Sequence, residues 1–224
     1  MEGDGKPPGP RELRKRRTHE ELLRAGLELF ARRGYGATTV AEIVQHAAVS
    51  ERTFFRYFAS KEELVLYPVR EASDLLLAEV IRRPPGEAPL ETLRRAFVSL
   101  PALMPAGHPE RYLVAMRVLC SVPEARVVLL RFAAEDQYRL ARALAGRGGV
   151  EAGDRRPVLL AGAFVMSAIH AALDWERRRD GTLGGLMAGV ESSLSLLPSA
   201  VLGGWLADTA DGQERRGPAG PGRG

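Results

Sequence analysis

The sequence predicts an all-α chain, with an N-terminal three-helix helix-turn-helix head followed by a larger helical body. Three observations carry this. A Ser or Thr stands three positions ahead of a Glu at Thr18 and Glu21, at Thr39 and Glu42, and at Ser60 and Glu63, the capping-box spacing that marks a helix start. Apolar residues recur at helical spacing between joints rich in Pro and Gly, without β alternation of useful length and without an internal repeat. With 224 residues, 45% of them hydrophobic, the chain exceeds the usual single domain and suits a small head beside a body with its own core.

In the first predicted helix Leu22, Ala25, Gly26, Leu29 and Phe30 share one face. Arg32, Arg33 and Gly34 close it, with basic residues in the last turn and glycine beyond. The second helix, capped by Thr39, carries Val40, Ile43, Val44 and Ala47 on its apolar face. Few residues separate it from Ser50, which is placed to cap a third helix that buries Phe54 and Phe58. Helices joined so tightly cross at a steep angle. The third helix is left with Glu51, Arg52, Thr53, Phe55, Arg56 and Tyr57 for its remaining surface, a polar and aromatic set suited to base edges and phosphates; it reads as a recognition helix. The head therefore spans residues 18–64. Ahead of it, residues 1–17 form a basic flexible arm in which Arg11, Arg14, Lys15, Arg16 and Arg17 crowd around Glu12. Such an arm either touches phosphates or a minor groove, or is a solvated tail.

Beyond Leu64 the body is expected over residues 65–207. A helix from 61 to about 83 should kink or break at Pro68 and end at Pro84-Pro85-Gly86. Helical segments near 89–104, 109–121, 123–146, 155–179 and 182–198 follow, separated by short Pro- or Gly-containing joints. The segment from Leu159 to Leu173 is apolar nearly all round, so it needs cover on most sides. The next, from Leu183 to Val190, is rich in small residues that let helices approach closely. The tail, 208–224, is low in complexity and expected to be disordered.

Composition excludes several classes. A net charge of +4 and a pI near 9.6 are compatible with nucleic-acid binding but do not show it, since Lys occurs only at positions 6, 15 and 61. The single Cys120 rules out an internal disulfide framework and a Cys-based metal site. A cytoplasmic protein is expected, as no secretory signal and no uninterrupted apolar run of spanning length is seen. No phosphate loop, nucleophile elbow, His-Glu-x-x-His or catalytic carboxylate pair is present, so no enzyme, cofactor or metal is expected. Glu62-Glu63 reads as a helix-start charge, and Glu135-Asp136 as a solvated face.

The spaced run Leu27-x-x-Phe30-x-x-x-Gly34-Tyr35, Thr38-Thr39-Val40-x-x-Ile43 and Val49-Ser50-x-x-Thr53-Phe54-x-x-x-Phe58-x-x-Lys61-Glu62-x-Leu64 resembles the head of the TetR family of bacterial transcriptional regulators. It departs from that pattern in places. Ala48 stands where the turn usually has Gly, so a residue with a Cβ must take positive φ. Val44 replaces a smaller Ala at the helix crossing. Phe55 replaces a Tyr whose hydroxyl donates to phosphate, and Tyr57 replaces a frequent His, so the phosphate contact is expected to pass to Tyr57. Gly26, where Ala is preferred, should cost roughly 0.5–1 kcal/mol of helix stability.

The resemblance implies a sequence-specific DNA-binding regulator, expected to be a repressor, that acts as a homodimer on a palindromic operator and responds to a small molecule. Arg52 is then the candidate for guanine, Glu51 for a cytosine amine, and Thr53 for a thymine methyl or a phosphate. Thr39, Tyr57 and Lys61 are assigned to phosphates, with Ser50, Phe55 and Arg56 on the same surface and Arg16 and Arg17 in the arm. The last two long helices would pair with those of a second subunit, although an ordinary intramolecular core explains the same pattern. An effector cavity is implied in the body, with Phe97, Met104, Met116, Cys120, Phe132, Phe164, Met166 and Trp175 as apolar candidates and Arg117, His108 and His170 as polar anchors. The same Met and aromatic residues also suit a plain core. The expected effector is hydrophobic or amphipathic, such as a drug, a lipid or an acyl thioester. The alternative is a ligand-free DNA-binding adaptor whose body holds another protein; a closed apolar cavity favours the sensor, a filled core with an exposed apolar patch the adaptor.

Overall fold

The structure is a computed structural model that describes residues 9–151 and 153–203. Among them are nine helices and no strand: α1 (Pro10–Arg33), α2 (Val40–His46), α3 (Glu51–Tyr57), α4 (Lys61–Arg82), α5 (Pro89–Leu103), α6 (His108–Ser121), α7 (Pro123–Gly148), α8 (Arg156–Arg178) and α9 (Leu183–Leu202). The expected disordered tail, 208–224, lies outside the described residues.

The head begins earlier than its capping pattern indicates. Thr18 does not cap a helix: its hydroxyl donates to the Arg14 carbonyl at 3.0 Å, one turn back, inside a continuous α1. The helix extends to Pro10 because proline at a first turn loses no hydrogen bond, and because Glu12 with Arg16 (3.5 Å) and Arg17 with Glu21 (3.0 Å) pair along its surface. Residues 10–17 of the expected flexible arm are thus helical. The other two boxes behave as read. Thr39 and Glu42 cap α2 reciprocally, and Ser60 accepts from the Glu63 N–H at the start of α4.

Between α2 and α3 the chain turns through Ala48 at φ 52°, a conformation strained by its Cβ. The turn is held by the Val49 N–H donating to the Val44 carbonyl at 3.0 Å. Phe54 and Phe58 are buried, and Phe58, at the end of α3, packs against Phe54, His19 of α1 and Tyr67 of α4. Gly26 is explained by packing, since a Cβ there would lie 2.6 Å from Leu64 Cδ2. The helix-propensity cost lets α4 lie close against α1.

Helix α4 runs on through Pro68 without ending, and Pro68 is buried on a helix whose Val65, Leu66 and Val69 belong to the core, so tertiary packing supports the turn that lacks its hydrogen bond. It spans the head boundary expected near Leu64 and packs against α5, α6 and α7, while α7, α8 and α9 pack in sequence beyond it. Head and body also meet where α1 touches α6. One apolar core runs from Leu22 in the head to Leu194 in α9. At the α8–α9 corner the fully buried Trp175 donates its indole N–H to the Thr182 carbonyl at 2.9 Å.

Helices α8 and α9 reach mean hydropathies of 1.6 and 1.3 over an 18-residue window, long and apolar enough by composition to cross a membrane. Ser167, His170 and the serines of α9 interrupt the apolar runs without lowering the average below that range. Only 39% and 17% of those windows are buried within one chain.

Candidate nucleic-acid interface and body cavity

With Phe54 inward, the helical period turns Glu51, Arg52, Phe55 and Arg56 outward, and all four are exposed. Ser50 is the cap of α3: its hydroxyl accepts from the Thr53 N–H at 3.2 Å and lies 2.9 Å from the Thr53 hydroxyl. Thr53 is half-buried by that contact. Phe55 remains 55% exposed, edge-on to Phe54 at 5.3 Å. Tyr57 is half-buried beside the His19 ring at 6.0 Å, and the Arg56 guanidinium sits 5.1 Å from its ring centre.

The start of α1 stands next to this face. Arg11, Arg14 and Lys15 line a cleft together with Arg56 and Tyr57. The expected Arg16 and Arg17 are instead paired with Glu12 and Glu21 and do not line it. The three basic residues that do were legible in the sequence as part of the run, but which of the run faced α3 depends on the phase of a helix that had been expected to start at Thr18.

Lys61, expected at a phosphate, is engaged within the chain. Its ammonium donates to the carbonyls of Tyr35 at 3.0 Å and Thr38 at 3.1 Å and lies 4.3 Å above the Tyr35 ring. These contacts tie it to the turn between α1 and α2. The Tyr35 hydroxyl in turn donates to Glu62 at 3.0 Å, and burial together with that carboxylate raises the phenol pKa above its ordinary value. Thr39 stays exposed with its hydroxyl 3.0 Å from Glu42. Its backbone N–H and hydroxyl hold the Glu42 carboxyl below the usual range. His46 is exposed, 3.4 Å from Glu28.

In the body, residues of α4 to α9 line a mainly apolar cavity of about 100 Å³. Phe97, Met116, Phe132 and Phe164 line it as expected, with Phe97 and Phe164 edge to face at 6.2 Å. The other candidates do not. Met104 ends α5 and packs on the core; Met166 and His170 point outward from α8. Arg117 is exposed, 3.9 Å from Glu176 and beside Trp175. His108 sits at the head–body junction, 3.4 Å from Glu71. Cys120 follows Met116 by one turn, past the end of the cavity, where burial pushes its thiol up to about 12.

The polar lining was missed. Asp136 is buried, not solvated, while its neighbour Glu135 is exposed. Ser73 donates to Asp136 Oδ1 at 2.6 Å, and Arg139 donates to the same oxygen at 3.1 Å while also pairing with Asp74. Burial raises the Asp136 pKa, against the hydrogen bond from Ser73 and the nearby Arg139 charge. The signal was its place in the stripe Leu129, Phe132, Ala133, Asp136, Leu140, where an acid replaces an apolar residue.

A capped recognition helix, a basic cleft beside it and a helix that joins both to a cavity define a helix-turn-helix DNA-binding transcriptional regulator. The profile of bacterial regulatory proteins of the tetR family matches residues 22–67, and that of the MftR C-terminal domain matches residues 87–198. The transcriptional regulator TcmR of Streptomyces glaucescens is 35% identical over 204 residues, covering 88% of this chain and 90% of its own. The chain belongs to the TetR family. Among solved structures, Thermus thermophilus FadR, a TetR-family repressor in complex with lauroyl-CoA, is 28% identical with a TM-score of 0.51, over 81% of this chain and 93% of its own. A TetR-family regulator from Syntrophomonas wolfei, 16% identical, shares the fold with a TM-score of 0.60 over 81% of this chain and 95% of its own.

Proposed function

We propose that the protein is a homodimeric repressor that leaves a two-fold symmetric operator when a small apolar or amphipathic effector enters the body cavity. The observation that carries this is α4, one helix whose first turn packs into the head and whose later turns wall the cavity. An occupant that favours a different setting of α4 shifts the population toward wrongly spaced heads. FadR in complex with lauroyl-CoA supports an apolar occupant in a body of this fold.

On α3, Arg52 reads guanine and Glu51 a cytosine amine, and Phe55 meets a thymine methyl. Thr39, Arg56, Tyr57 and the cleft residues Arg11, Arg14 and Lys15 hold phosphates. The outward stripes Leu159, Ala163, Met166 and His170 on α8, and Gly184, Ala188, Ser192 and Leu196 on α9, are left open by the monomer. A second copy covers them, which accounts for two helices too apolar for solvent and places two heads on successive half-sites. The cavity favours this sensor over the adaptor.

The test is binding to the upstream DNA and to a scrambled duplex at several salt concentrations. A preference of about a thousandfold with a steep salt slope supports the reading. Equal, weak binding to both duplexes overturns it.

A further inference from the structure

We propose that Asp136 is the specificity anchor of the body cavity and selects a small apolar molecule bearing an amine or hydroxyl donor over an anionic one. This rests on the reading that the cavity holds the effector. Asp136 is 6% exposed and lines a cavity that is otherwise almost wholly apolar. Both of its side-chain contacts fall on Oδ1, from Ser73 and from Arg139. Among the described residues Oδ2 has no hydrogen-bond partner, and neither has the hydroxyl of Tyr112, which lines the same cavity.

A carboxylate oxygen that faces a mainly apolar cavity with a free lone pair is poorly solvated there, and an incoming N–H or O–H satisfies it. An ammonium adds charge attraction in a poorly solvated place, whereas a carboxylate or phosphate meets like charge. A cavity of about 100 Å³ is smaller than the roughly 150 Å³ that admits benzene, so its occupant is no larger than about one ring and the side chains around it must give slightly to take one. This argues against a polyanionic thioester head group at the Asp136 end. The contact also reaches the head. Ser73 belongs to α4 and Asp136 to α7, so a donor on Oδ2 shares its carboxylate with the buried side-chain tie that joins the two helices.

The experiment uses the full chain and four probes that share one ring: benzylamine, benzyl alcohol, toluene and benzoate, with dissociation constants from ligand-observed NMR at neutral pH. The wild type is expected to bind benzylamine and benzyl alcohol about tenfold or more tightly than toluene, with benzoate weakest. Asp136→Asn should erase the advantage of benzylamine and change toluene by less than about twofold. Equal binding of the amine and toluene by the wild type, or an unchanged order in Asp136→Asn, overturns the anchor while leaving the cavity in place. Failure of toluene and every other probe to bind overturns the effector-cavity reading itself. Should Asp136→Asn fail to fold, Ser73→Ala decides instead. Removing the hydroxyl that draws on the same carboxylate leaves it a stronger acceptor, which tightens benzylamine by about threefold or more if the carboxylate is the anchor, and an unchanged value overturns it.

Discussion

Arg52 and Lys61 are both basic residues of the head, yet their surroundings give them opposite roles. Arg52 is exposed and in no ion pair among the described residues, so it can offer its planar fork to a guanine edge. Arg52→Ala should therefore weaken operator binding by about 1–3 kcal/mol while leaving a scrambled duplex nearly unaffected. Fluorescence anisotropy with both duplexes checks this, and an equal loss on the two removes the base contact. Lys61 is committed to two backbone carbonyls and a ring face. Lys61→Met should lower the stability of the head by about 1–2 kcal/mol and leave the salt slope of DNA binding unchanged; a slope reduced by about one, without loss of melting temperature, would restore Lys61 to the phosphates.

At the scale of elements, the helices were largely legible, and the exceptions have definite physical causes. Thr39 and Ser60 are true caps because each is itself extended, at ψ 160° and 173°, just ahead of its helix. Thr18 shows the same spacing but lies in mid-helix, because the charged pairs before it continue the helix. Periodicity placed Met116 and Cys120 on one face of α6 but did not say that the cavity stops between them, which only the crossing of neighbouring helices decides. Asp136 was misread because an acid beside Glu135 is usually solvated, although its phase within the stripe pointed inward. Ala48 was read correctly. Its positive φ predicts that Ala48→Gly raises stability by about 1 kcal/mol, measurable as a higher denaturant midpoint; no rise would mean that the turn relaxes around the methyl group.

At the scale of the whole molecule, the open stripes of α8 and α9 make assembly testable. Ala188→Glu buries a charge in the proposed subunit contact, so sedimentation should show a monomer, with operator binding reduced far more than Arg52→Ala reduces it. Acid should act on the α5–α9 side. Arg94 and Arg95 hold the Glu91 carboxyl down to about 2, and Arg94 also pairs with Glu191 of α9. A depressed folded pKa gives stability that is present above the ordinary value of 4.5 and lost as pH falls toward 2. The melting temperature of the wild type should therefore fall more steeply over that window than that of Glu91→Gln, the two converging near the lower end. The corner between α8 and α9 carries a reporter of its own. Trp175 is sealed from water with its indole N–H committed to Thr182, whereas the other tryptophan, Trp205, lies beyond the described residues. In a Trp205→Phe protein, emission will come from Trp175 alone, blue while the corner is closed and red once it opens, an optical gauge of that corner that needs no added dye.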